Sequence, residues 1–384
     1  MTLLYLVAGE ASGDILGARL MAALAARRPG IRFAGIGGPR MQAQGLVSLF
    51  PMEELSLMGL AEVLPSLARL VRRMGEAEAD ILAKQPAALV TIDAPSFTLR
   101  LAGRVRPKRV RVIHYVAPQV WAWRPWRVKR IARVVDRLLC LLPFEPAFFQ
   151  GAGLDACFVG HPILEGAVPG DGAAFRTRHG LGEDRRILAV MPGSRGGELA
   201  RHLPIFGEAI ARLRRDLPGL APVALSLPRH APRIGAAWPD VPLITADGDK
   251  RDALAAASAA LVKSGTSSLE VALAGVPQVV AYRVNPLTAA IVRRIVKVRH
   301  ASLVNILASS PEIPELLQEN CTGETLAAAL LPLLADPAAA AAQHRAYAEA
   351  RAALSPPGGL MPSEAAAEAV LATIGATGEP SRQA

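Results

Sequence analysis

Cysteine is scarce in this sequence, with three in 384 residues, and Cys140, Cys157 and Cys321 lie too far apart for a disulfide framework or a zinc-type cluster. Aromatic residues make up only 4% of the chain. No uninterrupted apolar run reaches the roughly 18 residues that a single membrane span needs. The apolar start, Met1 to Ala8, has no basic flank and runs directly into Gly9-Glu10. It therefore reads as a first strand and not a secretory signal, which leads us to expect a cytoplasmic protein whose membrane contact is peripheral. Neither GxGxxG nor a P-loop ending in Gly-Lys-Ser/Thr is present, which disfavours nicotinamide cofactors and Mg-ATP. No His, Cys, Asp or Glu residues fall at metal-ligand spacing, so neither a cofactor nor a metal is expected. There is no internal repeat, and the only biased tracts are Ala-rich helices such as Ala338–Ala342.

What is present is an alternation of short apolar runs with amphipathic stretches. Leu3–Ala8, Ile31–Ile36, Ala88–Ile92, Val110–Tyr115, Leu138–Leu142 and Cys157–Val159 read as strands, and the helical patterns between them imply parallel βαβ units. A polar, Gly/Pro-bearing segment from Glu165 to Ala173 interrupts the series. A second series follows at Ile187–Met191, Val223–Leu227, Leu243–Ile244, Ala260–Val262 and Gln278–Ala281. The chain exceeds the size at which one core keeps growing, so two doubly wound domains, 1–165 and 166–345, with a helical tail over 346–384, are expected. Beyond about Glu324 the pattern is helical throughout. The tail is expected to pack back on the first domain.

Ligands in open parallel sheets bind beyond the C-terminal ends of the strands, which directs attention to the residues just after each one. After the first strand, Gly9-Glu10-Ala11-Ser12-Gly13-Asp14 forms a Gly-rich turn whose amides could face an anion or a sugar; a tight turn with Ser12 as helix N-cap is an equal alternative. After Ala88–Ile92 stands Asp93, either a general base that takes a hydroxyl proton or a cap for the following turn. Pro192-Gly193-Ser194-Arg195, ahead of a helix, reads as a diphosphate cradle in which amides and a guanidinium meet phosphate oxygens. Lys263-Ser264-Gly265-Thr266-Ser267-Ser268-Leu269-Glu270 repeats the arrangement. Glu270 suits the two hydroxyls of a ribose, or else closes a capping box. Two phosphate-type turns in one domain favour a nucleotide.

The formal charge of +10 is concentrated: Arg100 to Arg137 carries 12 Lys/Arg against the single acid Asp136, so the remainder of the chain nets −1. Arg accounts for 37 of the 43 basic residues, a bias that follows genomic base composition as readily as selection. The same stretch holds Trp121, Trp123 and Trp126, three of the four Trp. Val128, Ile131, Val135 and Leu138 recur at helical spacing, while Arg130, Arg133 and Arg137 line another face; Arg127, Arg130 and Arg133 are the basic candidates for membrane contact. The simplest reading is a solvated basic side of an amphipathic helix. The interleaved Trp and the lack of acids instead suit an anionic bilayer or a phosphorylated lipid. No RNA-binding signature accompanies them, so nucleic acid is not expected as a partner.

Nine segments resemble the lipid-A-disaccharide synthase family over nearly the whole chain: AGEASGD at the first turn, GGPRMQAQG from Gly37, MEELSLMG from Met52, IDAP from Ile92, HYVAPQVWAWR from His114, LPFE from Leu142, VGHP from Val159, PGSR from Pro192, and SGT with LE between Ser264 and Glu270. The resemblance implies a GT-B architecture, two Rossmann-like domains facing across a cleft with a helical C-terminal tail. It implies transfer of a 2,3-diacylglucosamine unit from UDP to 2,3-diacylglucosamine 1-phosphate with inversion and without metal, on the cytoplasmic face of the inner membrane. It assigns the base to Asp93, the diphosphate contact to Arg195, and the nucleotide pocket to Ser264, Thr266, Glu270 and Asn305; Gly9, Glu10, Ser12, Gly193, Ser194 and Gly265 complete the substrate-binding set. Met58, Leu60 and Val63 are candidates for acyl-chain contact, with ordinary core as the alternative. A homodimer is left open. Two departures stand out: Ser96 and Thr98 replace the family's Asp and Asn after IDAP, and Val304 replaces a Pro before Asn305. The rival readings are another UDP-N-acetylglucosamine enzyme of the same fold, such as a peptidoglycan glycosyltransferase or an epimerase, and a non-catalytic membrane or nucleic-acid adaptor.

Overall fold

The computed structural model describes residues 2–55, 63–123, 125–166, 168–285 and 300–375. The chain forms two compact units, one comprising Met1–Pro162 with Leu354–Ala384 and the other Ile163–Ala353.

The first unit is built on a six-stranded parallel sheet: β1 (Leu3–Ala8), β2 (Arg32–Ile36), β3 (Ala88–Ile92), β4 (Val112–Tyr115), β5 (Arg137–Cys140) and β6 (Asp155–Phe158), in the spatial order β2-β1-β3-β4-β5-β6. Successive residues of each strand enter different cores. Tyr5, Val7, Leu89 and Leu138 face one helical layer, while Leu4, Leu6, Val90 and Leu139 face the other, so strands buried on both faces read as continuous apolar runs. The second layer includes the C-terminal helix Pro362–Gly375, whose Ala366, Ala367 and Val370 join Leu20, Met21 and Leu24 of the helix Ala11–Arg27. Arg27 meets Glu364 and Glu368 of that returning helix at 3.5 Å each.

The second unit has β7 (Ile187–Met191), β8 (Ala221–Leu225), β9 (Leu243–Ile244), β10 (Ala259–Lys263), β11 (Gln278–Tyr282) and β12 (Glu315–Leu317), ordered β12-β11-β10-β7-β8-β9. Numbered within the unit this is the Rossmann order 3-2-1-4-5-6. Leu188, Val190, Leu261 and Val279 fill one core, and Ile187, Ala189, Ala260 and Val262 the other. The short strand β12 is absent from the sequence reading because its Glu315 is polar and its three residues are too few to show a period. The helix Ala341–Leu354 is latched to β11 by the Gln343 side chain, which pairs with the backbone of Gln278: the Gln278 N–H donates to Gln343 Oε1 at 2.8 Å, and Gln343 Nε2 donates back to Gln278 O at 3.1 Å.

Among the described residues no single helix is long and apolar enough to cross a membrane. The helix expected to continue from Val128 through Leu138 stops at Ala132. Val135 is buried in the connection and Leu138 belongs to β5, because three β5 residues alternate between the two cores and outweigh the helical spacing.

Candidate active site

Each sheet has one point where the strand order reverses, between β1 and β3 in the first unit and between β7 and β10 in the second. Connections leave in opposite directions there, opening a crevice at the C-terminal strand ends. Gly9 to Asp14 follows β1, Asp93 follows β3, the Pro192–Arg195 turn follows β7, and Ser264 to Glu270 follows β10. The catalytic and nucleotide-binding residues expected from the sequence thus fall at the two reversal points, with the exception of Asn305.

In the first unit, Gly9 is buried and has no room for a side chain, since a Cβ would stand 2.8 Å from Ala94 Cβ. The turn after β1 therefore lies against the turn after β3. The N-cap of the following helix is Glu10, exposed and without a capping contact from its side chain, so the Ser12 cap expected as the alternative does not form; Ser12 is exposed within the first turn. Asp14, quoted in the motif without a role, is 3% exposed, and its carboxylate accepts the amides of Gly38 (2.8 Å), Arg40 (2.9 Å) and Met41 (3.0 Å). It fixes the GGPRM turn. That link joins positions 24 to 27 apart and has no local sequence signal.

Asp93 and Ala94 both have left-handed backbones, φ 50° and 45°, and Val116, at the end of the neighbouring β4, has φ 80°. Non-glycine residues adopt such angles at a cost of about 1–3 kcal/mol, and clusters of them accompany functional sites. The Asp93 N–H donates to Tyr115 O at 2.9 Å, and the Thr98 hydroxyl donates to Asp93 O at 2.7 Å, so one of the departures from the family pattern serves to brace this turn. Asp93 itself is half-buried. Burial pushes its carboxyl above the ordinary range, opposed by the Ala94 amide. A carboxylate so placed has raised proton affinity and is well suited to act as a base.

Glu145, in the LPFE segment after β5, is another carboxylate at this edge of the sheet. It is buried and accepts the Trp121 indole N–H (3.0 Å) and the amides of Leu141 (3.1 Å) and Leu142 (3.0 Å), while burial lifts its pKa to about 7. Trp121 is thereby fixed within the fold, edge-on to Phe144 at 4.8 Å. The sequence reading missed Glu145 because a lone Glu after a strand carries no pattern.

In the second unit, Gly193 (φ 128°) is dictated by Glu198, whose Oε2 would lie 2.8 Å from a Cβ at that position. Glu198 Oε2 accepts the amides of Ser194 (3.1 Å) and Arg195 (3.3 Å), so two of the donors expected to cradle phosphate already serve to shape the turn. Basic side chains hold its carbonyls: Arg229 Nη2 and His230 Nε2 lie 3.1 and 2.8 Å from Ser194 O, and Arg233 Nη1 donates to Gly196 O at 3.0 Å. His202 Nδ1–H donates to Pro192 O at 2.8 Å and its Nε2 accepts the Arg283 amide at 3.1 Å, which fixes a neutral tautomer; burial lowers its pKa accordingly. The Arg195 side chain, 80% exposed, projects from this braced turn. The amides of Gly196 and Gly197 open the helix Gly196–Asp216, where the dipole favours an anion.

At the neighbouring strand, Gly265 (φ 140°) is the N-cap of the helix Thr266–Leu273. Counting from it puts Glu270 at the fifth helical position, beyond the reach of a capping box, so that alternative is removed. Glu270 is exposed at its surface, but partial loss of solvent around the carboxyl raises its pKa, against the pull of Lys250. Its carboxylate makes no hydrogen bond to a described residue. Thr266 is exposed beside it, and Ser264 Oγ donates to Ala301 O at 2.8 Å. Asn305 is 5% exposed and engaged elsewhere: its Nδ2 donates to Ile313 O (2.9 Å) and Glu315 Oε1 (2.7 Å), and its Oδ1 accepts the Ile313 amide (3.0 Å). In this structure Asn305 clamps the loop after residue 300 and presents no free amide donor to a ligand.

The chain matches the family model for lipid-A-disaccharide synthetase over residues 4–369. It belongs to the lipid-A-disaccharide synthase family. A synthase of this name from Gluconobacter oxydans is 50% identical over 370 residues, covering 95% of this chain and 89% of that one, and another from Rhodospirillum centenum is 49% identical over 381 residues, covering 97% and 94%. The chain is accordingly a glycosyltransferase that forms the lipid A disaccharide. Among solved structures it is similar to the Staphylococcus aureus MnaA–UDP complex (TM-score 0.65, 13% identity, 100% of both chains) and to Acinetobacter baumannii MurG (TM-score 0.54, 15% identity, 97% and 99%), which establishes the GT-B type of fold.

For the lipid side, Met58 and Leu60 lie outside the described residues, as do the side chains of Val63 and Trp123. The concentrated charge is partly neutralised by tertiary neighbours: Arg104 and Lys108 meet Glu78 at 2.7 Å each, Arg106 meets Asp136 at 2.9 Å, and Arg137 meets Asp155 at 3.7 Å. Arg127, Lys129, Arg130 and Arg133 are exposed and form no ion pair among the described residues, and Trp126 beside them is 66% exposed.

Proposed function

We propose that the enzyme condenses UDP-2,3-diacylglucosamine with 2,3-diacylglucosamine 1-phosphate, giving the β-1,6-linked disaccharide 1-phosphate and UDP. The reading is supported chiefly by a carboxylate of raised proton affinity at the reversal point of the first sheet and cationic, amide-bearing turns at that of the second. The acceptor 6-hydroxyl oxygen attacks the donor's anomeric carbon from the face opposite UDP. A C–O bond forms, the bond to the diphosphate oxygen breaks, UDP leaves with the electron pair, and the hydroxyl proton passes to Asp93. Inversion of an α-linked donor gives the β product. Arg195, with the amides of Gly196 and Gly197, stabilises the charge that develops on the leaving diphosphate, the contribution expected of preorganised donors. Thr266 and Glu270 meet the nucleoside, with Glu270 accepting ribose hydroxyls.

The enzyme attaches reversibly to the anionic inner-membrane surface through Trp126, Arg127, Lys129, Arg130 and Arg133, where its acylated substrates reside. The deciding experiment supplies both acylated glucosamine substrates in detergent and follows UDP. Release of UDP only when both acylated sugars are present supports the reading. Release from UDP-N-acetylglucosamine with an unacylated acceptor at the same rate overturns it.

A further inference from the structure

The turn after β10 holds a cation to which the sequence patterns gave no role. Lys263, the last residue of β10, has a side chain only 17% exposed, yet its ammonium makes no hydrogen bond to a described residue. Nζ lies 3.3 Å from Glu198 Oε1, which is itself buried and without a hydrogen bond, so this is an ion pair lacking hydrogen-bond alignment. Glu198 also meets Arg195 Nη1 at 3.6 Å. One carboxylate therefore faces two cations and, through Oε2, two amides of the Pro192–Arg195 turn. Lys263 arches over the next turn as well. A Cβ on Gly265 would stand 3.1 Å from Nζ, so the glycine leaves the ammonium its space, and the Tyr282 ring lies 5.8 Å away. The ammonium thus stands between the two turns that flank the β7/β10 reversal.

We propose that Lys263 is a second diphosphate-binding cation, held ready by Glu198 and matched with Arg195. An ammonium offers three donors and no acceptor, and a mostly buried one whose described partner is a single carboxylate oxygen at 3.3 Å keeps donors for further anionic oxygens. A nucleoside diphosphate brings that charge, and two cations beside it supply compensation that Arg195 alone leaves incomplete. Glu198 balances the pair in the empty site and keeps both side chains oriented toward the crevice. This rests on the nucleotide reading above.

The test is titration calorimetry of UDP, UMP and uridine with the full chain as wild type, K263M, K263R, E198Q and the double variant E198Q/K263M. In K263M, UDP affinity falls about ten-fold or more, as expected for loss of one charge-assisted contact, while uridine affinity is unchanged. K263R recovers most of the loss. The double variant, which leaves no unpaired buried charge behind, covers the case in which K263M unfolds, and it binds UDP about ten-fold more weakly than E198Q alone. Wild type that prefers UDP to uridine while K263M, or the double variant relative to E198Q, shows no loss overturns this inference alone. Wild type that binds UDP no better than uridine overturns the nucleotide reading and this inference with it.

Discussion

Replacement of Asp93 by Asn separates catalysis from stability at one position. Asn keeps the size of the side chain, tolerates the left-handed φ of 50° at least as well as Asp, and retains the backbone bond to Tyr115. It cannot take a proton. Loss of a positioned general base lowers turnover by about 10²–10⁴-fold, or roughly 3–5 kcal/mol of barrier. Stability moves the other way. The folded-state pKa of Asp93 is raised by burial, so its contribution to stability is fully present below the unfolded pKa and is lost as pH rises through the folded value. At pH 7.5 the wild type carries that cost and the Asn variant does not. In a chain of two units of nearly 200 residues each, a gain of 1 kcal/mol raises the melting temperature by about 2–4 °C. Turnover measured as UDP release in detergent, together with thermal unfolding at pH 7.5, therefore shows an enzyme that melts no lower than wild type and is nearly inactive. The acid limb of the wild-type pH–rate profile also lies above the ordinary carboxylate range, because the base must be ionised. Turnover within ten-fold of wild type would remove Asp93 from the proton transfer, and a melting temperature lowered by several degrees would refute the burial argument.

Arg195→Ala weakens UDP and donor binding together, by about ten-fold or more, because its exposed guanidinium is proposed to meet diphosphate oxygens in both; calorimetry with UDP checks this, and the wild type retains full activity in EDTA, where strict dependence on a divalent ion would show that the charge is handled differently. Glu145, lifted by burial to about 7, contributes stability that is lost as pH rises from about 4.5 through 7, so the melting temperature of E145Q falls less steeply over that range than that of wild type, and parallel curves would contradict the assignment. Replacing Arg127, Arg130 and Arg133 with Ser lowers cosedimentation with anionic vesicles and leaves UDP affinity unchanged. Each basic residue near such a surface contributes about 1 kcal/mol, and salt releases the enzyme because the attraction fades over a Debye length of about 8 Å at physiological salt. Equal binding to neutral and anionic lipid would reduce the segment to a solvated basic face.

Eleven of the twelve strands were legible in the amino-acid sequence to within two residues at either end, because strands buried on both faces read as short, nearly continuous apolar runs. The positions of Asp93, Arg195 and Glu270 after strands or at helix starts were legible for the same reason: once the strands are placed, so are their C-terminal ends. Tertiary structure alone decided what those residues touch. Asp14 reaches the GGPRM turn, Glu145 holds Trp121, and Glu78 neutralises part of the basic stretch. Hydrogen bonds and ion pairs between side chains tens of residues apart depend on strand order and on the direction of each turn, and neither leaves a local period or composition to read. Hydrophobic burial is written residue by residue along a strand, whereas polar partnership exists only once the strands have been brought side by side.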